Sequence, residues 1–142
     1  MTANGATRLL TFFIVLFCLA GVVDSSLVLR EHYNFETSPC KINDVWDCGE
    51  VNHSPYAEIH RVPVAMIGII GYALLAILAG RFPWTTAILA IGAMAFSLRM
   101  TWIEWKTLQV WCIYCVISQG IITIVFVLAL IAGWLSTRKG KI

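Results

Sequence analysis

The stretch WCIYCVISQGIITIVFVLAL, Trp111 to Leu130, places a cysteine pair at the head of an apolar run that carries no charged residue. Continued to about residue 135, the run reaches the roughly 20 residues that a bilayer-crossing helix requires. Three more runs of similar character lie at about residues 9–29, 62–78 and 84–103. Composition agrees, with 59% hydrophobic residues and a mean hydropathy of +0.80, against roughly 45–50% apolar residues in soluble domains. The predicted fold is all-α and integral to a membrane. It is a bundle of four transmembrane helices with a long extracytoplasmic loop between the first and second. No polar stretch is long enough for a separate module, so residues 1–142 form one membrane domain.

The first run follows Arg8 and stays apolar to Val23, a layout shared with cleavable signal peptides. No small-x-small cleavage site closes it and its length suits a span, so it is read as retained. Between the second and third runs, Gly80-Arg81-Phe82-Pro83 is a tight turn in which proline ends one helix or starts the next. That connection predicts antiparallel neighbours.

The formal net charge is +2, and lysines and arginines are scattered among segment ends rather than gathered on one face. A nucleic-acid partner is excluded on that ground. Arg8, Arg81, Arg138, Lys139 and Lys141 fall on one side of the predicted spans, whereas the loop from Arg30 to Arg61 is net acidic. The positive-inside rule then makes both termini cytoplasmic and puts the loop and the link from Glu104 to Trp111 outside. Both cysteine pairs, Cys40 with Cys48 and Cys112 with Cys115, face the oxidising side. Within the loop, Tyr33, Phe35, Trp46 and Tyr56 are expected interfacial anchors, and Trp102, Trp105 and Trp111 form an aromatic belt around the outer link.

Cys112-Ile113-Tyr114-Cys115 is a C-x-x-C opening a helix, where the N-terminal dipole favours the thiolate, the reactive form. Gln119 and Thr123 continue the face of Cys115 at four-residue steps. An intramembrane polar stripe points either at a functional path, with Gln119 and Ser118 contacting a bound carbonyl compound, or at interhelical hydrogen bonding. Cys40 and Cys48 can staple the loop or shuttle electrons; spacing does not decide between these. Thiol–disulfide exchange needs a thiolate near its target sulfur, and the loop can bring Cys48 to Cys112. Four thiols near His53 and His60 also suggest zinc, but zinc pairs sit on knuckles of two to four intervening residues and the loop pair is wider, so no metal is expected. Cys18 reads as a packing residue. Asp24 and Arg99 fall within spans, where either they pair with each other across helices or Asp24 meets interfacial water and donors such as Ser25.

In order and spacing, the loop cysteines, the segment Val51-Asn52-His53-Ser54-Pro55-Tyr56-Ala57, the lead-in Val62-Pro63-Val64-Ala65-Met66-Ile67-Gly68 and the C-x-x-C together resemble the compact bacterial members of the vitamin K epoxide reductase family. The resemblance spans essentially the whole chain. It implies a four-helix bundle cupping a quinone near the outer surface. It also implies that Cys115 faces the quinone, Cys112 is its disulfide partner and accepts from Cys48, and Cys40 meets the external partner. Ser54 matches a serine that organises the reaction centre, and Met66 and Gln119 fall near the quinone. Gln119 stands where the animal enzymes carry tyrosine, and Val64 where they carry asparagine, so epoxide reduction is not implied.

Relatives with a fused thioredoxin-like domain differ from this chain, which is expected to take its redox partner in trans. The expected partner is a thioredoxin-fold oxidase similar in role to DsbA. With a potential of about −120 mV, such an oxidase needs an acceptor as oxidising as a membrane quinone, ubiquinone or menaquinone. The predicted activity is thus a quinone-dependent thiol oxidase of the bacterial inner membrane, passing electrons from Cys40/Cys48 to Cys112/Cys115 to quinone. Its alternatives are a non-catalytic membrane protein with a static loop disulfide and an outward carrier of reducing equivalents.

Overall fold

The structure, a computed structural model, describes residues 3–34 and 40–140. Phe35, an expected interfacial anchor, and Lys141, an expected cytoplasmic charge, lie outside the described residues. Helix α1 spans Ala3–Tyr33, α3 Val64–Leu78, α4 Pro83–Ile103 and α5 Ile113–Lys139, with a short α2 at Cys48–Asn52. Each long helix is apolar around most of its circumference, as expected of a segment surrounded by lipid and other helices rather than by water.

Helix α1 lies centrally, packing on α3 along one side and on α5 along another, while α4 packs on α5. Small residues set the closest approach. A Cβ added at Gly21 of α1 would come within 2.6 Å of the Tyr72 ring on α3, and one at Gly68 of α3 within 2.7 Å of Ser25 Oγ. Close backbone approach of this kind substitutes for the hydrophobic effect, which lipid removes as a driving force between helices. Ile14, Cys18, Leu75, Ala87, Val125 and Ala129 fill the core where these faces meet. Cys18 is therefore a packing residue, as its sequence context suggests.

Among the described residues three helices, not four, are long and apolar enough to cross a membrane: α1, α4 with the turn that extends it to Leu108, and α5. Helix α3 has 15 residues, and at 1.5 Å per residue it covers about 22 Å, short of the roughly 30 Å hydrocarbon core. Its predicted first residues instead form a strand. Glu58–Ile59 (β1) pairs antiparallel with Val62–Pro63 (β2) through a two-residue turn in which His60 and Arg61 have φ of 50° and 68°. Pro63 then caps α3.

The turn into α4 follows expectation, with Pro83 in the first turn and Phe82 N–H donating to Leu78 O at 2.9 Å. The two helices it joins are neighbours, as that connection predicts, but they pack loosely. Helices α3 and α4 touch each other far less than each touches α1 or α5. They lean apart, and a cavity of about 520 Å³ opens between them. The two ends of the chain meet, since Lys139 Nζ donates to Asn4 Oδ1 at 3.0 Å and to Thr7 Oγ1 at 2.9 Å. All four paired cysteines lie at the opposite end of the bundle.

Candidate functional site

A backbone bridge brings the two cysteine pairs together. Trp46 and Trp111 pair as a parallel β-bridge: Asp47 N–H donates to Trp111 O at 3.0 Å, and Trp111 N–H to Val45 O at 2.7 Å. Cys48 begins α2 two residues after the bridge, and Cys112 caps α5 one residue after it. Both tryptophans thus have a structural task beyond the membrane interface, with ring centroids 6.4 Å apart.

Cys40 and Cys48 form a disulfide with Cα atoms 5.7 Å apart, and Cys112 and Cys115 are free thiols. The sulfurs of Cys40, Cys48 and Cys112 all lie within 4.8 Å of one another. Cys48 and Cys112 have no solvent exposure and Cys40 has 7%, so the loop disulfide is reached from outside through Cys40. Val51 and Val110 pack around the three sulfurs.

Asp47 locks the segment that carries Cys48. Its Oδ1 accepts the Glu50 N–H at 3.2 Å as the α2 cap, and its Oδ2 lies 3.2 Å from Lys41 Nζ. Burial pushes the Asp47 carboxyl up, but the Glu50 N–H and the Lys41 ammonium outweigh it and hold the group below the usual carboxylate range. Ser54, at the far end of α2, donates Oγ–H to Val51 O at 2.7 Å. His32, near the end of α1, holds the same segment: Nδ1 donates to Asn52 O at 2.7 Å, and Nε2 lies 3.0 Å from Glu58 Oε1.

Glu104 is the residue that sequence reasoning missed. The chain leaves α4 through a single π turn, Glu104–Leu108, and reverses at Gln109 with φ 55°. This folds Glu104 back under the C-x-x-C, where it is 4% exposed. Its Oε2 accepts the Cys112 N–H at 3.2 Å, and its carboxyl also meets the Cys115 thiol, which in turn contacts Cys112. A carboxyl beside a thiol can take the proton that thiolate chemistry must release. The signal for it in the sequence is an acid at the head of the short link, shortly before the first C-x-x-C cysteine.

Cys115 turns from this cluster into the cavity between α3 and α4. The cavity is roofed by Asn52, Ser54 and Tyr56 from the loop, and its walls are largely apolar. Tyr72 crosses it from α3, donating Oη–H to Ser118 O at 3.0 Å and lying 2.9 Å from Ser118 Oγ. Ser118 therefore lies at the cavity and bonds α5 to α3 across it.

Gln119 is placed elsewhere. Its Oε1 accepts from Ser97 Oγ at 2.6 Å and Thr101 Oγ1 at 3.1 Å, and its amide reaches Thr123 Oγ1 at 3.5 Å and Met94 Sδ at 3.6 Å. Those bonds join α4 to α5, and Thr123 adds its own to Gln119 O at 2.6 Å. Met66 is 39% exposed on α3, while its neighbours Ala65 and Ile67 line the cavity. Asp24 and Arg99 make no ion pair: Asp24 Oδ2 has no partner and Arg99 is exposed.

The family model of the vitamin K epoxide reductase family matches residues 12–130. No curated protein matches the chain.

Proposed function

We propose, for a chain that belongs to the vitamin K epoxide reductase family, that it oxidises the dithiol of an extracytoplasmic thioredoxin-fold protein and passes the two electrons to a membrane quinone. The observation that carries this reading is the Cys112 sulfur, within 4.8 Å of both sulfurs of the Cys40–Cys48 disulfide. Exchange requires a thiol in that position. The arrangement of a closed loop disulfide over a free C-x-x-C corresponds to one step in a cycle, after the loop has passed its electrons inward.

Each step balances. A partner dithiol reduces the Cys40–Cys48 disulfide through Cys40, the more exposed sulfur, and leaves as a disulfide. Cys48 then attacks a Cys112–Cys115 disulfide at Cys112, Cys40 resolves the mixed disulfide, and Cys115 is released as the thiol facing the cavity. Glu104 takes the Cys115 proton as that thiol reacts, and the Cys112–Cys115 bond re-forms with loss of two electrons. A quinone bound in the cavity supplies the two-electron acceptor and carries away two protons on its ring oxygens. The cavity fits such a ring in size, in its apolar walls and in having Cys115 on its lining.

Among the sequence-derived residues, the four cysteines carry the electrons. Ser54 closes the C-terminal end of α2, the helix that Cys48 begins, and Gln119 secures the α4–α5 seam beneath Cys115. Helix α3 serves as the fourth, short span, completed by β2 at one end and Gly80 at the other. The charge distribution supports cytoplasmic termini with the cysteines on the periplasmic side, and the resemblance to compact bacterial members supports a bacterial inner membrane.

An anaerobic reaction tests the reading. Purified protein is mixed with a reduced thioredoxin-fold oxidase and a soluble quinone, and quinone absorbance is followed alongside the partner's thiols. Equal loss of both, abolished in Cys112→Ser and Cys115→Ser, is expected. Persistent quinone with a Cys40–Cys48 disulfide that never exchanges would leave only a static loop staple.

A further inference from the structure

Among the described residues, the buried side-chain polar atoms without a hydrogen-bond partner are Asp24 Oδ2 and Asn52 Nδ2. The two residues are 6% and 5% exposed, and both line the cavity that receives Cys115. Buried polar atoms in native proteins nearly always have partners, so two orphans facing one cavity point to a ligand that completes them.

Helix register places them with respect to the thiol. Gly21 of α1 packs on Tyr72 of α3, and Tyr72 bonds Ser118 of α5, so these three share one depth. The numbering of α1 rises toward the cysteine end of the bundle and that of α5 falls. Three residues toward that end from Gly21 is Asp24, and three from Ser118 is Cys115, each about 4.5 Å along its axis. Asp24 and Cys115 therefore face the cavity at the same depth from two helices in contact. Asn52 sits nearer the roof, held through its own carbonyl by His32, two turns beyond Asp24 on α1.

The two orphans differ in kind. Asn52 Nδ2 can only donate, which suits a ring carbonyl oxygen, whereas Asp24 Oδ2 suits a phenolic O–H. We propose that Asn52 and Asp24 are the polar contacts of the quinone ring, Asn52 donating to one ring oxygen and Asp24 accepting from the hydroxyl that the other becomes on reduction. This rests on the quinone reading of the cavity. Electrons and protons balance within it: two S–H bonds of Cys112 and Cys115 break, one S–S bond forms, and two O–H bonds appear on the ring. Asn52 thus contributes to binding of the oxidised ring, and Asp24 contributes chiefly to the reduced one. Asp24 thereby raises the oxidising power of the bound ring.

The test is binding rather than turnover. In a Cys115→Ala background, where no electrons pass to the ring, a short-chain quinone and its hydroquinone are titrated anaerobically by calorimetry into lipid nanodiscs. Asn52→Leu is expected to weaken quinone about tenfold, and Asp24→Leu to weaken hydroquinone about tenfold with little change for quinone. The latter ratio lowers the potential of the bound couple by about 30 mV. Asn52→Ala and Asp24→Ala remove the same polar groups with less crowding, and they shift affinities in the same directions where the leucine variants fold poorly. Parent-like affinity of the variants for both forms would overturn the assignment while leaving the cavity reading intact. A parent protein that binds neither form would instead overturn the cavity reading itself.

Discussion

Replacing Glu104 with glutamine separates what its carboxyl holds from what it reacts with. The amide oxygen of glutamine can still accept the Cys112 N–H now 3.2 Å from Glu104 Oε2, so the fold should lose no more than about 1 kcal/mol. Glutamine cannot take a proton from the Cys115 thiol. A placed general base contributes about 10²- to 10⁴-fold, and E104Q should therefore slow electron transfer out of Cys115 by about 100-fold or more. Glu104→Ala should lose the same rate and, with the Cys112 N–H left buried and unpartnered, about 1–3 kcal/mol of stability as well. The assay is anaerobic stopped-flow: prereduced protein meets excess soluble quinone, and the first turnover is read from quinone absorbance, with a thermal melt of each variant alongside. A parent-like first turnover in E104Q would refute the role given to Glu104. So would a rate loss that merely tracks lost thermal stability across the two variants.

Gly21→Ala should destabilise the α1–α3 contact by about 1–3 kcal/mol, because the added methyl would meet the Tyr72 ring at 2.6 Å; an unchanged melting temperature would mean that the two helices part at no cost. The Asp47 carboxyl ionises more readily in the folded chain than in the unfolded one. Its contribution should be complete above about pH 4 and disappear as pH falls through the lower, folded value. Hydrogen exchange at the Glu50 amide should accordingly deviate upward from its intrinsic acid profile in the parent, and the deviation should flatten in Asp47→Asn. Persistence of the full deviation in that variant would remove Asp47 as its source. His60 and Arg61 occupy left-handed backbone without glycine, which costs about 1–2 kcal/mol per residue. The double change His60→Asn with Arg61→Gly should raise the melting temperature, and a fall would show that these side chains make contacts worth more than the strain.

The sequence made much of this plain and hid the rest for identifiable reasons. Apolar runs and the C-x-x-C at the head of the last one report α1, α4 and α5, because length and hydropathy are local properties. The shortness of α3 was masked by Val62 and Pro63, which are apolar enough to extend the run yet form a strand and a cap. Gln119 could be a ligand contact or an interhelical bond, because helical spacing alone puts it on the face of Cys115. Only the positions of Ser97 and Thr101 on α4 decide which neighbour its amide meets. Glu104 was hidden by its place in a link, where acids are usually solvated; a π turn and one left-handed residue bury it. Asp24 is visibly costly in the sequence, but the partners suggested there are Arg99 or interfacial donors such as Ser25, and the cavity beside it is a property of how α3 and α4 diverge.

That divergence also decides the medium from which a substrate arrives. Ile88 and Gly92 line the cavity and are exposed on the flank of α4, a candidate membrane span, so an opening past them would face acyl chains rather than water. Occupancy then follows the mole fraction of substrate dissolved in the bilayer, and lipid tails compete for the same opening. Adding inert lipid at constant total quinone should lower the turnover rate, while adding buffer should leave it nearly unchanged.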